Sequence, residues 1–182
     1  RLADARRAMS NYVIITPLVT EDADGLLELI NAERIDLATY FPVTTARMSD
    51  RRSAKRYIGD LIDKARSREM FCFILRDHEG GEPAGAVFLK QLDWSVPKCE
   101  IAYFVGSTYR RQGFATYGVI WAVDHAFSVL GLDKVYARVD PENKASISVL
   151  ESCGFQQEGL LRHDFRTGDG RLLDVCYYGK LR

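Results

Sequence analysis

The sequence predicts one α/β (α+β) domain, a mixed sheet with helices packed on it, and three observations carry that prediction. Strand-length runs rich in β-branched and aromatic residues are interleaved with stretches of helical period. Three of these runs follow one another across short turn signals, which suits an antiparallel meander, and two strand–loop–helix units come after them. At 182 residues, 47% of them hydrophobic, the chain fits a single domain and excludes two large ones.

Taken in order, residues 1–10 are a short Arg-containing arm, expected to fray, ahead of one unit from Asn11 to Arg182. Tyr12–Ile15 reads as a strand by its β-branched content. Thr20, ahead of Glu21-Asp22, is expected to cap a helix carrying Leu26, Leu27, Leu29 and Ile30. Asp50 is expected to cap a second, because Ala54, Tyr57, Ile58, Leu61, Ile62 and Ala65 recur at helical spacing. Two helices are thus expected after the first strand. The strands Phe71–Arg76, Ala84–Leu92 and Cys99–Val105 follow, separated by His78-Glu79-Gly80-Gly81 and Ser95-Val96-Pro97. Phe114–Leu130 returns to helical period and Gly131 ends it. Val135–Val139 is a strand, Lys144–Cys153 a helix, and Phe155–Phe165 with Leu172–Leu181 a closing hairpin over Thr167-Gly168-Asp169-Gly170. The strands number seven.

Composition removes several functions. Lys+Arg and Asp+Glu balance at 25 each, so no basic field gathers phosphates, which argues against a nucleic-acid or anionic-membrane binder. The apolar content argues against disorder. Cys72, Cys99, Cys153 and Cys176 are scattered, form no CxxC pair and sit near no His at ligand spacing; they read as reduced, mostly buried thiols in a cytoplasmic protein, with no metal site. His78, His125 and His163 are too dispersed for a metal set. No apolar run approaches the roughly 18 residues of a membrane span, and Arg1–Ser10 lacks a signal peptide's apolar centre. The start without Met leaves room for a removed upstream segment.

The stretch most suggestive of chemistry is Cys99–Val105, then Gly106–Arg111, then Gln112-Gly113-Phe114-Ala115 opening a helix. A glycine at a helix start lets successive backbone N–H groups converge while the helix terminus adds favourable potential, an arrangement that holds a pyrophosphate. Arg110 and Arg111 place positive charge nearby. A surface loop with two solvated arginines is the competing reading; the loop is neither a Walker motif nor the three-glycine dinucleotide fingerprint.

A second segment bears on that choice. A strand ending at Val139 leads into Asp140-Pro141-Glu142-Asn143-Lys144-Ala145-Ser146 and a helix closed by Cys153-Gly154-Phe155. With Arg110-x-x-Gly113-x-Ala115, Glu142-Asn143-x-x-Ser146, Gly154-Phe155, Glu158-Gly159-x-x-Arg162 and Asp174-x-x-x-Tyr178 in this order, the chain from Tyr12 to Leu181 resembles the GCN5-related N-acetyltransferase (GNAT) superfamily. Within it, the resemblance is to the RimJ/RimL-like branch that acetylates ribosomal-protein N-termini and polyamines.

The resemblance implies the GNAT fold, a mostly antiparallel seven-stranded sheet splayed between its fourth and fifth strands, with acetyl-CoA in the cleft and no metal. The amides of Arg111, Gln112, Gly113, Phe114 and Ala115, with the Thr116 hydroxyl and Arg110 nearby, would cradle the pyrophosphate. Backbone near Phe104 and Val105 would pair with the pantetheine arm like an added strand, and Asn143 would bond that arm, with capping of the following helix as the competing or additional role. For chemistry, Glu100 is a candidate general base or an ion-pair partner. Many members keep a tyrosine where this chain has Leu150, which removes the usual acid. Ser146 then stands at the branch's substitute position, as a hydrogen-bond donor to the sulfur or as a helix-start serine bonding backbone. Tyr178 is a third candidate, or a packing aromatic. Asp164 lies one register off the place where the branch carries an acid facing the acceptor. Trp94, Trp121 and His125 read as packing or surface residues.

The acceptor is expected to contact Glu33–Arg52 and the final hairpin. Tyr40, Phe41 and Pro42 resemble an apolar wall of the branch, and Arg162 is expected to be structural or substrate-facing. Glu33, Asp36 and Asp50 are mixed with Arg34, Arg47, Arg51 and Arg52, so charge selects no acceptor. By the resemblance, a protein N-terminal amine attacked directly in a ternary complex leads. A polyamine, an aminoglycoside or another small amine, a succinyl-CoA-using variant drawing on Arg51 and Arg52, and a non-catalytic CoA-binding module all stay open, as does a homodimer.

Overall fold

A computed structural model describes residues 13–78 and 80–182 of the chain. The arm at 1–10, Tyr12 and Glu79 lie outside the described residues. The strands are β1 (Val13–Pro17), β2 (Phe71–Asp77), β3 (Pro83–Asp93), β4 (Lys98–Val105), β5 (Lys134–Val139), β6 (Gln156–Arg166) and β7 (Leu172–Leu181). They form one seven-stranded sheet in the order β1-β2-β3-β4-β5-β7-β6. β4 and β5 are parallel and every other neighbouring pair is antiparallel. The predicted meander and final hairpin are therefore present.

The α-helices are α1 (Ala23–Ala32), α2 (Arg34–Tyr40), α3 (Pro42–Arg47), α4 (Arg51–Arg66), α5 (Phe114–Ser128) and α6 (Lys144–Ser152). The expectation of two helices after the first strand is corrected to four. Pro42 cannot extend the helix before it and starts α3, while Phe41 holds a non-helical backbone, so α2 and α3 are short and turn against each other. Arg34 fixes that turn from within, its guanidinium donating to the carbonyls of Thr45 at 2.7 Å and Met48 at 2.6 Å. Thr20 does not cap α1 either. It opens a 3-10 turn whose N–H at Val19 bonds the Asp22 carboxylate, and Asp22 also pairs with Arg76 of β2. Asp50 does cap α4, accepting from the Ser53 N–H at 2.9 Å.

Strand alternation splits the core between the two faces of the sheet. Leu75, Val87, Leu89, Ile101, Val135 and Ala137 face α5 and α6, and Ile74, Ala86, Phe88 and Phe104 face α1, α2 and α4. The β4–β5 pairing is short: Lys98 opposes Lys134, Cys99 opposes Val135 and Glu100 opposes Tyr136. Beyond that point β4 continues to Val105 and β5 to Val139 without pairing. The sheet is splayed between its fourth and fifth strands.

The tip of β4 is seated on β3 through Gly85, which opposes Val105. A Cβ there would lie 2.4 Å from the Phe104 carbonyl oxygen, a backbone atom that cannot yield without shifting the strand. Gly85→Ala is expected to cost about 3 kcal/mol by overpacking, read as a fall in the denaturant midpoint; an unchanged midpoint would show that β4 is free to move.

Candidate active site

The loop between β4 and α5 has the geometry of an anion cradle. Arg111 (φ +60°) and Gly113 (φ +83°) are both left-handed, and Gly113 is the N-cap of α5. Left-handed residues interrupting a turn aim successive N–H groups into one concavity, and glycine adopts this conformation without Cβ strain. The helix proper begins with Tyr117 N–H on the Gly113 carbonyl at 2.9 Å. The amides of Phe114, Ala115 and Thr116 therefore have no acceptor within the helix. Gln112 donates to the Thr108 carbonyl at 2.7 Å and closes the loop on itself.

Glu33 of α1's C-terminal end anchors this loop from the other side. Its carboxylate, 7% exposed, accepts from the Ser107 N–H at 2.7 Å and from Arg110 at 2.7 Å. Arg110 also lies 3.6 Å from Asp36 and donates to the Val105 carbonyl at 3.3 Å. The expectation that both arginines stand as charge beside the phosphates is thus refined: Arg110 is engaged as a clamp between the loop and α1–α2, and Arg111 is exposed. Burial pushes the Glu33 carboxyl up, but the hydrogen bonds from Ser107 and the Arg110 charge outweigh it and hold the pKa below the ordinary value.

Across the splay stands the start of α6. Asn143 is its N-cap, with the side-chain oxygen accepting from the Ser146 N–H at 3.1 Å, which leaves the amide –NH2 to donate elsewhere. The Ser146 hydroxyl lies 2.9 Å from the phenolic oxygen of Tyr103 on β4, which is also 3.2 Å from the Ser146 carbonyl. Tyr103 therefore ties β4 to the start of α6, the helix that follows β5. Burial raises its pKa well above that of a free phenol. Leu150, the departure from the usual tyrosine, is wholly buried.

On the opposite face of the sheet lies a chain of charges. Glu100, 4% exposed, pairs with Arg138 of β5 at 3.1 Å and with Lys90 of β3 at 3.4 Å, so both carboxylate oxygens are engaged and the ion-pair reading is the one the geometry displays. Arg138 reaches on to the Asp164 carboxylate at 3.0 Å. Its Nε is buried without a partner among the described residues. Asp164 gets there because the β6–β7 register slips between Leu161 and Phe165. His163 takes φ +52° and its N–H is held by Asp174 at 2.9 Å. The bulge re-aims the residue that simple alternation places one position off. Arg162 is exposed on the same bulge.

The remaining candidates separate. The Tyr178 hydroxyl donates to Glu151 at 3.2 Å and lies 3.5 Å from the Gln157 side-chain oxygen, near the C-terminal end of α6, so the structure does not join it to Ser146. Tyr40 donates to Asp140 at 3.0 Å, tying α2 to the loop that carries Asn143, and its pKa is pushed up to about 12 by burial and by that bond. Phe41 packs edge-on against Phe104, with ring centroids 5.2 Å apart, and near Phe88. Arg51 is paired with Asp24 at 2.6 Å. The four cysteines are free and buried. Among the described residues no group of three His, Cys, Asp or Glu is arranged to hold a metal, and no helix is long and apolar enough to cross a membrane. Tyr103, the Asp164 bulge and the Glu33 anchor are the site features that sequence reading missed. Tyr103 shares the alternation Ile101, Tyr103, Val105 toward α5 and α6, the one signal that could have flagged it.

Comparison with known proteins agrees with this geometry. Residues 13–156 match the family model described as an acetyltransferase (GNAT) domain. The chain is 32% identical over 163 residues to an uncharacterised N-acetyltransferase, p20, of Bacillus licheniformis, covering 89% of this chain and 88% of that one. It is 36% identical over 85 residues to the spermidine N(1)-acetyltransferase of Escherichia coli, a match covering 47% and 46%. Among solved structures it superposes on Mycobacterium smegmatis RimJ in complex with CoA-disulfide with a TM-score of 0.84 at 25% identity, covering 93% of this chain and 81% of that one.

The Glu33 anchor gives a pH test. A carboxyl whose folded pKa is depressed contributes stability above its ordinary value, near 4.5, and loses it as pH falls through the lower folded value. Glu33→Gln is expected to lose about 2 kcal/mol at pH 7, the scale of hydrogen bonds to a charged group. The gap to the parent protein should close below pH 4.5. A gap constant in pH would show that the charge contributes nothing.

Proposed function

The chain belongs to the GNAT acetyltransferase family and is an N-acetyltransferase, and from that premise we propose that it moves the acetyl group of acetyl-CoA to a protein N-terminal α-amine by direct attack in a ternary complex. The observation that carries the donor assignment is the parting of β4 and β5 beside the α5 N-terminus. The open edge near Phe104 and Val105 suits the amides of a pantetheine arm as an added strand. The converging amides of Arg111 to Ala115, with Thr116, suit a pyrophosphate, and the free –NH2 of Asn143 suits a pantetheine carbonyl.

In the reaction the neutral amine attacks the thioester carbonyl carbon. A C–N bond forms, the C–S bond breaks, and its electron pair stays on sulfur next to Ser146, whose hydroxyl hydrogen-bonds the developing thiolate. The proton lost by the amine leaves along the carboxylates of the opposite face. Glu100 is enclosed by Arg138 and Lys90, so its part is to seat Arg138. Asp164, 39% exposed, is the end of that chain open to solvent and the group suited to take the proton. Tyr178 has a packing role. Tyr40, Phe41 and Arg162 border the acceptor.

Acceptor choice rests on which acids are already engaged. A polyamine needs carboxylates free to meet several ammonium groups. Glu33 and Asp36 meet Arg110, Asp50 caps α4 and Asp140 meets Tyr40, which leaves Asp164 to meet one amine. That leaves an N-terminal amine with its single charge as the better match. Similarity to the spermidine enzyme over 85 residues favours the second reading, a small polyamine acceptor.

Acetyl-CoA binding by calorimetry, followed by thiol release against N-terminal peptides, spermidine and an aminoglycoside, tests both steps. Turnover with peptides alone is expected; turnover with spermidine alone would replace the acceptor assignment. Gly113→Asp should weaken acetyl-CoA binding by about 100-fold or more through a like charge at the cradle, and unchanged affinity would remove the donor assignment.

Asp164→Asn is expected to lower kcat/KM by about 10-fold or more while the protein's stability stays within about 1 kcal/mol, as suits a partly exposed ion pair. Glu100→Gln, which unseats a buried charge pair, should lower the melting temperature as well. Unchanged kcat/KM in Asp164→Asn would reject its part in proton removal.

A further inference from the structure

We propose that Tyr103 is a positioning residue for the leaving group: its phenol donates into Ser146 Oγ and turns the Ser146 hydrogen toward the sulfur of CoA. The inference rests on the acetyl-CoA reading of the cleft given above. It follows from counting hydrogens at two oxygens. Tyr103 has one O–H and two acceptors in reach, Ser146 Oγ at 2.9 Å and the Ser146 carbonyl at 3.2 Å. If it donates to the carbonyl, it accepts from Ser146 Oγ, and the serine hydrogen points into the protein. If it donates to Oγ, the serine hydrogen is free for a third group. A sulfur gaining negative charge in the cleft selects the second arrangement, because only there does it meet a donor.

Two further facts narrow the role. Ser146 is the third residue of α6, where a serine hydroxyl readily folds back onto the backbone, and a fixed phenolic donor competes with that. Burial raises the Tyr103 pKa far above that of a thiol, so Tyr103 keeps its proton throughout and does not become a phenolate. The balance of the step is then simple. The amine loses one proton toward Asp164 and solvent, the thiolate leaves carrying the electron pair of the broken C–S bond and takes one proton from solvent, and Tyr103 and Ser146 end as they began. Their contribution is direction, not proton supply. Leu150 is consistent with this division, since α6 here offers no hydroxyl at that position.

The test compares Tyr103→Phe, Ser146→Ala and the double variant, all in the full chain. The readouts are calorimetric CoA affinity, the apparent pKa of the bound CoA thiol from thiolate absorbance, and kcat separately from KM for acetyl-CoA. Tyr103→Phe keeps the ring, so the fold and CoA affinity should hold; Tyr103→Met supplies a second apolar variant. The expected result is a bound thiol pKa raised in Tyr103→Phe toward the Ser146→Ala value, kcat lower by about 5- to 10-fold with KM within about twofold, as befits one hydrogen bond. Adding Tyr103→Phe to Ser146→Ala should change nothing more. Additive losses in the double variant, or a thiol pKa that ignores Tyr103→Phe and Tyr103→Met, would overturn the inference while leaving the donor assignment intact. Absence of CoA binding by the parent protein would instead overturn the donor assignment, and this inference with it.

Discussion

Unpaired backbone at the parting of β4 and β5 is the constraint on which the rest of the architecture depends. A strand that stops pairing in the interior of a sheet presents N–H and C=O groups that must find partners or water. After Glu100 and Tyr136 the two strands have no ladder between them, although β4 remains fully paired to β3 and β5 to β7. Each half of the sheet is therefore anchored on its outer side and open on its inner side. Such a wedge is stable only if something other than strand pairing sets its angle. It is also a ready template for a ligand with peptide-like amides, because the groups left open are those an added strand would use.

Two polar cross-links stand at the parting, one on each face. Toward α5 and α6, Tyr103 reaches from β4 to Ser146. On the opposite face, Glu100 reaches from β4 to Arg138 on β5, and Arg138 to Asp164 on β6. Neither is a strong source of folding stability. A neutral hydrogen bond contributes about 1 kcal/mol, and a buried ion pair often returns no more than its desolvation cost. Their value is geometric, since losing one partner leaves a buried group unpaired. The hydrophobic layers supply the bulk of stability, and the polar cross-links fix which side chains meet at the parting.

Legibility from sequence followed the range of the interactions. Strands and helices from Phe71 onward were readable because their periods are set by neighbours in sequence and by the face each residue buries. The span from Glu33 to Asp50 was not, because α2 and α3 are held by Arg34 reaching 11 and 14 residues ahead to backbone carbonyls, which leaves no periodic trace. The glycine loop could be recognised from Gly113, but Glu33's hold on it, 74 and 77 residues away, could not. Asp164 is the sharpest case. Simple alternation does not bring it to Arg138, and the bulge that does so goes with His163 adopting a left-handed conformation and Asp174 capturing its N–H from the next strand. Register arguments hold only where the ladder is regular.

The same cross-links put a phenol and a carboxylate back to back on one strand. Side chains of β4 alternate, so Tyr103 faces the α6 side and Glu100 the opposite side, while the backbone between them forms the open edge. An acyl group held along that edge would have the leaving-group donor on one face and the carboxylate chain on the other, without either face having to move. Tyr40 adds a further tie, joining α2 to Asp140, three residues before the Asn143 cap. On the proposed reading of the cleft, displacement of that helix by an acceptor would pull on the loop carrying Asn143 and Ser146, so the Tyr40–Asp140 hydrogen bond would couple the acceptor side to the thioester side.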